Sequence, residues 1–341
     1  MKKRITVTVL MGGKSAEHEI SLISGREVVK NLNFKKYNVL PIVISRNGIT
    51  WQIGERAAFL LDSPAKRRVK GKKPKVGKLI KTDHVSIIKN HKVDVVFIAM
   101  HGPNGEDGTI QGFLELIGVP YTGSGILASA LGMDKISSRK LFTQAGLKVP
   151  EYLVLQKDDS PQIVWKKFKP PVFVKPHNQG SSVGTTLVKE KNKLRDALNL
   201  AFDFSHLALA EEFLDGIEIT CPILGNNKPK ALPVVEIVPK RDFFDYKAKY
   251  NDKLCDEIVP ARISKALTKK AQQIALTAYQ SLGCSGFGRV DMIAKGNNIY
   301  VLEVNTIPGL TPVSLFPKSA VAAGISYPEL LDKIVMFALS K

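Results

Sequence analysis

The chain has 341 residues, enough for two or three domains with cores of their own. Hydrophobic residues make up 44% and charged residues 24%, as in a soluble globular protein, and no apolar run approaches the ~20 residues of a membrane helix. The net charge is +19, and nine of the sixteen residues from Lys66 to Lys81 are Lys or Arg with no acid among them; without an interleaved aromatic to stack on bases, the run reads as a basic insertion or a field for anionic substrates, and nucleic acid is not an expected partner.

The N-terminus has a basic head and a short apolar run but no small-residue cleavage site, so residues 4–10 read as a first strand and not as a signal peptide. Cys221, Cys255 and Cys284 are widely spaced with no CxxC, which fits a reducing cytoplasm and neither a disulfide framework nor a zinc site. Gly12-Gly13 turns the chain into a helix that opens at Ser15–Glu17 and reaches about Leu32, and Tyr37–Ser45 is a second strand. Val93–Met100 is a continuous apolar run, the mark of a buried parallel strand, followed by the loop HGPNGEDG and a helix at Thr109–Ile117. Strands alternating with helices predict a parallel α/β domain with ligands at the carboxyl ends of its strands.

Further on, Asp134–Ala145 is a helix closed by Gly146, and a helix starts at Ser160-Pro161 after a strand at Tyr152–Gln156. Pro171–Lys175, Thr185–Lys189 and His206–Glu212 are strands, with a helix over Glu190–Phe204. Ile217–Leu224 and Lys228–Val238 form a hairpin across Gly225-Asn226-Asn227. Arg241–Pro260 is a long polar loop whose length suggests a lid. A helix at Thr268–Leu282 precedes a second hairpin; a Pro/Gly-rich loop at Thr306–Pro317 and a helix near Pro328–Leu339 end the chain.

That second hairpin, GRVDMIAKGNNIYVLEVN (Gly288–Asn305), carries the clearest chemistry. A turn over Gly296-Asn297-Asn298 that sets Lys295 opposite Ile299 also sets Asp291 opposite Glu303 and Arg289 opposite Asn305. Alternation along each strand then puts all four on one face. Two carboxylates directly across a ladder repel, unless a cation sits between them. Two carboxylates and an amide oxygen suit a hard ion such as Mg²⁺ completed by substrate phosphates. On this reading Asp291→Ala or Glu303→Ala removes metal-dependent activity and leaves the fold intact.

VKPHNQGSSVG (Val174–Gly184) is a strand, a lysine and a Gly/Ser loop, which gives Lys175 as a point charge for phosphate and exposed N–H groups for an anion. Of two rival nucleotide motifs, one fails and the other is weak. Gly13-Lys14-Ser15 lacks the first glycine of a P-loop, which would fall at Thr8. Gly123–Ala128 matches a dinucleotide fingerprint, but no acid follows at the required distance.

These residues resemble a known family. MDK (Met133–Lys135), VKPHNQGSSVG, EEFLDGIE (Glu211–Glu218), GRVD (Gly288–Asp291) and LEVNTIPGLTPVS (Leu302–Ser314) are similar to the ATP-grasp ligases. GGKSAEHEIS (Gly12–Ser21), HGPNGEDGTIQG (His101–Gly112), YTGSG (Tyr121–Gly125) and YKAKY (Tyr246–Tyr250) narrow the resemblance to the D-alanine–D-alanine ligase family. It covers nearly the whole chain in motif order, and only Ala58–Lys92 has no motif to match.

The resemblance implies an α/β, three-domain ATP-grasp architecture: an N-terminal parallel-sheet domain (1–122), a central domain (123–210) and a C-terminal domain with metal site and lid (211–341). It implies ATP and two Mg²⁺ or Mn²⁺ ions as cofactors, leaves room for a monovalent cation, and implies a cytoplasmic homodimer that makes D-alanyl-D-alanine for the cell wall. Lys135 and Lys175 would hold the α- and β-phosphates. Glu211 and the backbone near Glu212 and Leu214 would read adenine, and Glu218 the ribose. Asp291, Glu303 and Asn305 would hold the metals. Glu17 would bind the first ammonium, linked to Ser181 and Tyr250, with His101 near the first carboxylate. Lys249, Ser314 and the Leu315 N–H would receive the second carboxylate. Arg289 and the Gly309 N–H would stabilise the tetrahedral intermediate, with Arg289 aimed at the reacting carbonyl and not serving as a salt-bridge partner for the acids. Tyr250 points to an amine as second nucleophile, since relatives that use D-lactate carry His there.

Overall fold

The computed structural model describes residues 4–54, 84–239 and 255–341; the Lys66–Lys81 run, Lys249, Tyr250 and most of the expected lid lie outside the described residues. Three sheets organise the rest.

The first sheet is built from β1 (Ile5–Gly12), β2 (Tyr37–Ile44), β3 (Trp51–Ile53) and β4 (Val95–Ile98), in the order β3-β2-β1-β4. β1 runs parallel to β2 and β4, and its threonines are as buried as its valines, as a strand covered on both faces requires. The domain was expected to be parallel, but β3 joins antiparallel to β2 as an edge strand. Helices α1 (His18–Asn31), α2 (His84–Asn90) and α3 (Thr109–Leu116) accompany it. Gly12 (φ +87°) turns the chain at the carboxyl end of β1, and a Cβ there would lie 2.3 Å from the Ile44 carbonyl oxygen. The expected helix start moves to His18, because Ser15 Oγ accepts from the Glu17 N–H at 2.8 Å and holds a turn. Glu17 from β1 and His101 from β4 therefore both sit beyond the carboxyl ends of parallel strands.

The second sheet is antiparallel throughout. It comprises β5 (Tyr152–Leu155), β6 (Val172–Pro176), β7 (Thr186–Val188) and β8 (Ala208–Glu212) in the order β5-β8-β6-β7, with α6 (Gln162–Lys167) and α7 (Leu194–Phe202). Ahead of it come α4 (Ile126–Met133) and α5 (Lys135–Gln144). Asp134 caps α5, accepting from the N–H groups of Ile136 (2.9 Å) and Ser137 (2.8 Å).

The third sheet contains β9 (Ile217–Leu224), β10 (Lys230–Ala231), β11 (Val235–Pro239), β12 (Cys255–Ile258), β13 (Phe287–Lys295) and β14 (Asn298–Asn305), with main order β12-β11-β9-β13-β14. β12 occupies part of the expected loop, at Cys255–Ile258, because it pairs antiparallel with β11. One face packs on α8 (Lys265–Ser281) together with α4 and α5, through Phe142, Tyr279, Val290, Met292, Val301 and Val304. The last helices, α9 (Leu315–Ala322) and α10 (Tyr327–Leu339), pack elsewhere: Phe316, Leu330, Ile334 and Val335 join the core of the first sheet. The C-terminal stretch thus returns to the N-terminal domain.

The Gly288–Asn305 hairpin differs from its expected register at one end only. Asp291 does face Glu303, and Arg289 faces Asn305. At the turn, however, Lys295 pairs with Asn298, and the register shifts by one between Asp291 and Met292. The physical cause is the core. Val301 and Val304 are three apart, yet both are buried on the helix-packed face, which strict alternation forbids. A bulge lets Leu302 and Glu303 both turn to the other side.

Candidate active site

Two cavities flank that hairpin. The first, about 410 Å³, lies between the second and third sheets and is lined by Lys135, Lys175, Glu211, Glu218, Asp291 and Glu303, among others. Glu212 and Leu214 also line it. The second, about 530 Å³, lies against the first sheet's carboxyl edge; Glu17, His101, Ser181, Arg289, Gly309 and Asn305 line it. Ser314 and Leu315, at the start of α9, close one end. Every expected site residue among the described ones therefore faces one of two cavities. The nucleotide candidates share the first and the amino-acid candidates share the second. The hairpin is their common wall.

Charges are compensated in a way the sequence did not foretell. Arg289 donates to Asp291 twice, Nε to Oδ1 and Nη2 to Oδ2, both at 2.8 Å. The expectation that Arg289 is no salt-bridge partner is therefore corrected: a guanidinium two residues along the same face reaches a buried carboxylate as a fork. The pairing keeps Arg289 charged although burial opposes it. Thr220 Oγ1 donates to Asp291 Oδ1 at 2.6 Å and Asn305 Nδ2 to Oδ2 at 2.9 Å. Glu303 pairs with Lys135 at 3.0 Å, and that ammonium also donates to the Gln179 carbonyl at 2.7 Å.

The hairpin's donor set fits a hard cation. Asp291 and Glu303 supply carboxylate oxygens, and Asn305, having turned its amide N–H groups toward Asp291, presents its carbonyl oxygen. It is not a set of three His, Cys, Asp or Glu, and no such metal-holding group occurs among the described residues.

Across the first cavity, Glu211 is buried and paired with both Arg139 and Lys175, the latter at 2.9 Å. Burial pushes its carboxyl up, but the two cations outweigh this and hold it below the usual carboxylate range. Burial lowers the Lys175 ammonium, against the pull of Glu211. In the second cavity, Ser181 Oγ donates to Glu17 Oε1. Ser181 and Ser182 both adopt left-handed backbone angles, φ +49° and +57°. Such strain in non-glycine residues persists where the surroundings impose it. Here it sends Ser181 into the second cavity and Ser182 into the first. His101 Nε2 meets Ser24 Oγ at 2.8 Å and Nδ1 meets the Ile307 carbonyl at 3.1 Å. The carbonyl can only accept, so Nδ1 carries the proton, and burial lowers the ring's pKa and keeps it neutral.

Family models match most of the chain. One described as D-ala D-ala ligase N-terminus matches residues 6–124, and one described as D-ala D-ala ligase C-terminus matches residues 141–336. The chain belongs to the D-alanine–D-alanine ligase family. It is 41% identical over 335 residues to a D-alanine–D-alanine ligase of Desulforudis audaxviator, spanning 97% of this chain and 98% of that protein. Among solved structures it resembles the D-alanine–D-alanine ligase of Coxiella burnetii (TM-score 0.83, 31% identity, 99% of this chain and 94% of that one). It also resembles the Bacillus anthracis enzyme solved with ATP (TM-score 0.78, 34% identity, 99% and 98%). Two antiparallel sheets facing each other across the first cavity are this family's ATP-grasp architecture.

Three groups in this ligase-family site escaped the sequence reading. Arg139 is fully buried beneath Glu211, with Tyr152 5.1 Å from its guanidinium carbon; its signal was a second cation one helical turn after Lys135. Leu302 lines the first cavity because of the bulge, and the three-residue spacing of Val301 and Val304 hinted at it. Glu106, in the HGPNGEDG loop, lines the second.

Proposed function

We infer that this chain ligates two molecules of D-alanine, using ATP and releasing ADP and phosphate, to supply D-alanyl-D-alanine for peptidoglycan precursors. The observation that carries this reading is the shared hairpin wall, with carboxylates toward the nucleotide cavity and Arg289 toward the amino-acid cavity. The cofactors are ATP and Mg²⁺ or Mn²⁺, with Asp291, Glu303 and Asn305 as the residues that would hold the metal. The bound metal supplies charge neutralisation at the β- and γ-phosphates.

The residue roles are proposals. Lys135 exchanges Glu303 for a phosphate oxygen when the nucleotide enters, and Lys175 holds a second phosphate. Main-chain groups near Glu212 and Leu214 read adenine, while the carboxylate of Glu211 fixes Lys175. Glu218 takes the ribose. Glu17, oriented by the Ser181 hydroxyl, binds the first ammonium, with neutral His101 beside the first carboxylate. The first carboxylate attacks the γ-phosphoryl group and becomes an acyl phosphate. Arg289 and the Gly309 N–H stabilise the oxyanion formed when the second amine attacks. Ser314 and the Leu315 N–H, at the start of α9, hold the second carboxylate, helped by the helix dipole. Lys249 and Tyr250 belong to the same proposal.

The deciding measurement is phosphate release from ATP with D-alanine, L-alanine and D-lactate offered singly and in pairs. D-alanine alone should stimulate release strongly, L-alanine should not, and D-lactate should be a poor acceptor at neutral pH. Release indifferent to D-alanine would overturn the assignment.

We propose the division 1–122, 123–210 and 211–341, supported by one sheet falling mainly in each part, although β8 (Ala208–Glu212) of the second sheet runs across the 210/211 boundary, with α10 as a strap back to the first. A cytoplasmic location is supported by three free, buried cysteines, and no helix among the described residues is long and apolar enough to cross a membrane. We also propose a homodimer, supported by the apolar face of Leu116, Ile126 and Leu127, which are 89%, 41% and 70% exposed on adjoining α3 and α4. Leu127→Lys should convert dimer to monomer in light scattering, and a wild-type protein that is monomeric at micromolar concentration would refute the idea.

A further inference from the structure

Glu106 has been given no role so far, yet it opens on the amino-acid cavity beside Glu17 and Arg289. Its Oε2 accepts from the Gly102 N–H at 2.8 Å, the side chain's one hydrogen bond among the described residues. Oε1 has no such partner, and the side chain is half-buried. The two carboxyl groups border the same space beside Gly180. A Cβ on Gly180 would fall 3.2 Å from Glu17 Oε2 and 3.9 Å from Glu106 Oε2. A Cβ on Gly102 would fall 2.8 Å from Glu17 Oε2. Gly180 thus borders both carboxyl groups, and at Gly102 a side chain would crowd Glu17.

Other charged groups around the cavity are committed. Glu17, from the turn after β1, receives the Ser181 hydroxyl. His101, from the same loop as Glu106, has both ring nitrogens engaged. Arg289 on β13 holds Asp291, and Glu303 on β14 is paired with Lys135. Glu257 on β12 is tied to Lys318 at 2.7 Å, and Glu27 on α1 accepts from Asn31.

Ligation needs a proton acceptor. If the chain is the ligase inferred above, the second D-alanine arrives as an ammonium with no lone pair. We propose that Glu106 takes a proton from this ammonium. The freed lone pair forms the C–N bond at the acyl carbon of the acyl phosphate. The C–O bond to phosphate breaks as the oxyanion collapses. The second nitrogen proton leaves with the phosphate, and Glu106 returns its own to solvent after product release. Burial and Glu17 hold the Glu106 carboxyl well above the ordinary carboxylate range, against the Gly102 N–H and Arg289, so it is a stronger base than a free glutamate.

The test is Glu106→Gln, which keeps an oxygen for the Gly102 N–H but cannot accept a proton at Oε1. Hydroxylamine is uncharged at neutral pH and traps an acyl phosphate without prior deprotonation. The variant should form D-alanyl hydroxamate at close to the wild-type rate. Its dipeptide formation at neutral pH should fall about a hundredfold or more, and recover as rising pH deprotonates the acceptor in solution. Loss of hydroxamate along with dipeptide would make Glu106 a donor-site or structural residue and overturn the proposal, as would unchanged dipeptide formation. Absence of D-alanine-dependent hydroxamate in the wild type would instead refute the ligase reading beneath it.

Discussion

Glu303→Gln should lower ATP-driven turnover roughly a hundredfold or more while barely moving the melting temperature, because several kcal/mol of charge stabilisation at the phosphates depends on that carboxylate. Glutamine still offers Lys135 an oxygen, so the 3.0 Å contact to that ammonium survives as a hydrogen bond. Asp291→Ala is a different experiment. Alanine removes the acceptor of both Arg289 hydrogen bonds and of those from Thr220 and Asn305. Arg289 is then a largely buried cation without its partner, at a cost of about 3–5 kcal/mol. The sequence alone led to the expectation that Asp291→Ala and Glu303→Ala spare the fold; the ion pair changes that for Asp291. Thermal melts beside phosphate release distinguish the two: equal melting of both variants would show that Arg289 gains nothing from Asp291.

Glu211→Gln should be among the most destabilising single substitutions in the molecule. It leaves Arg139, which has no exposed surface, and the partly buried Lys175 without a countercharge. A loss of about 3–5 kcal/mol follows, and ATP binding weakens with it because Lys175 loses its anchor. Arg139→Met should cost less, since it leaves a neutral Lys175–Glu211 pair. The pH dependence has a definite sign. The folded carboxyl of Glu211 lies below its ordinary value of 4.5. Between those two values the unfolded chain binds the extra proton, so the stabilisation is complete above about pH 4.5 and fades as pH falls through the folded value. Urea unfolding followed downward from neutral pH should show a steeper acid loss in the wild type than in Glu211→Gln. Parallel curves would remove Glu211 from the acid response.

The hairpin shows where local rules suffice. Alternation is a property of two or three consecutive residues, so Arg289, Asp291, Glu303 and Asn305 could be placed on one face before any packing was known. The same holds for the glycine turn after β1. The dense motif loops, VKPHNQGSSVG and HGPNGEDG, were legible because close approach to a ligand limits which residues can stand there. The first sheet's core strands could be read from their continuous apolar runs, whereas the three-residue β3 and α4 could not, being too short or too uniformly apolar for a period to show.

By itself, then, the sequence determined which side chains share a face and which loops hold phosphate-type chemistry, since both follow from backbone geometry over a few residues. The tertiary structure decided what those side chains touch. Lys135 meets Glu303 and Ser181 meets Glu17 across more than 160 positions of chain, contacts that no local period encodes. The bulge at Leu302 exists because helices on the far side of the third sheet bury Val301 and Val304 together. Arg289 turns toward Asp291 because a carboxylate shut between two cavities needs a countercharge, and which cation supplies it depends on which elements the fold brings within reach.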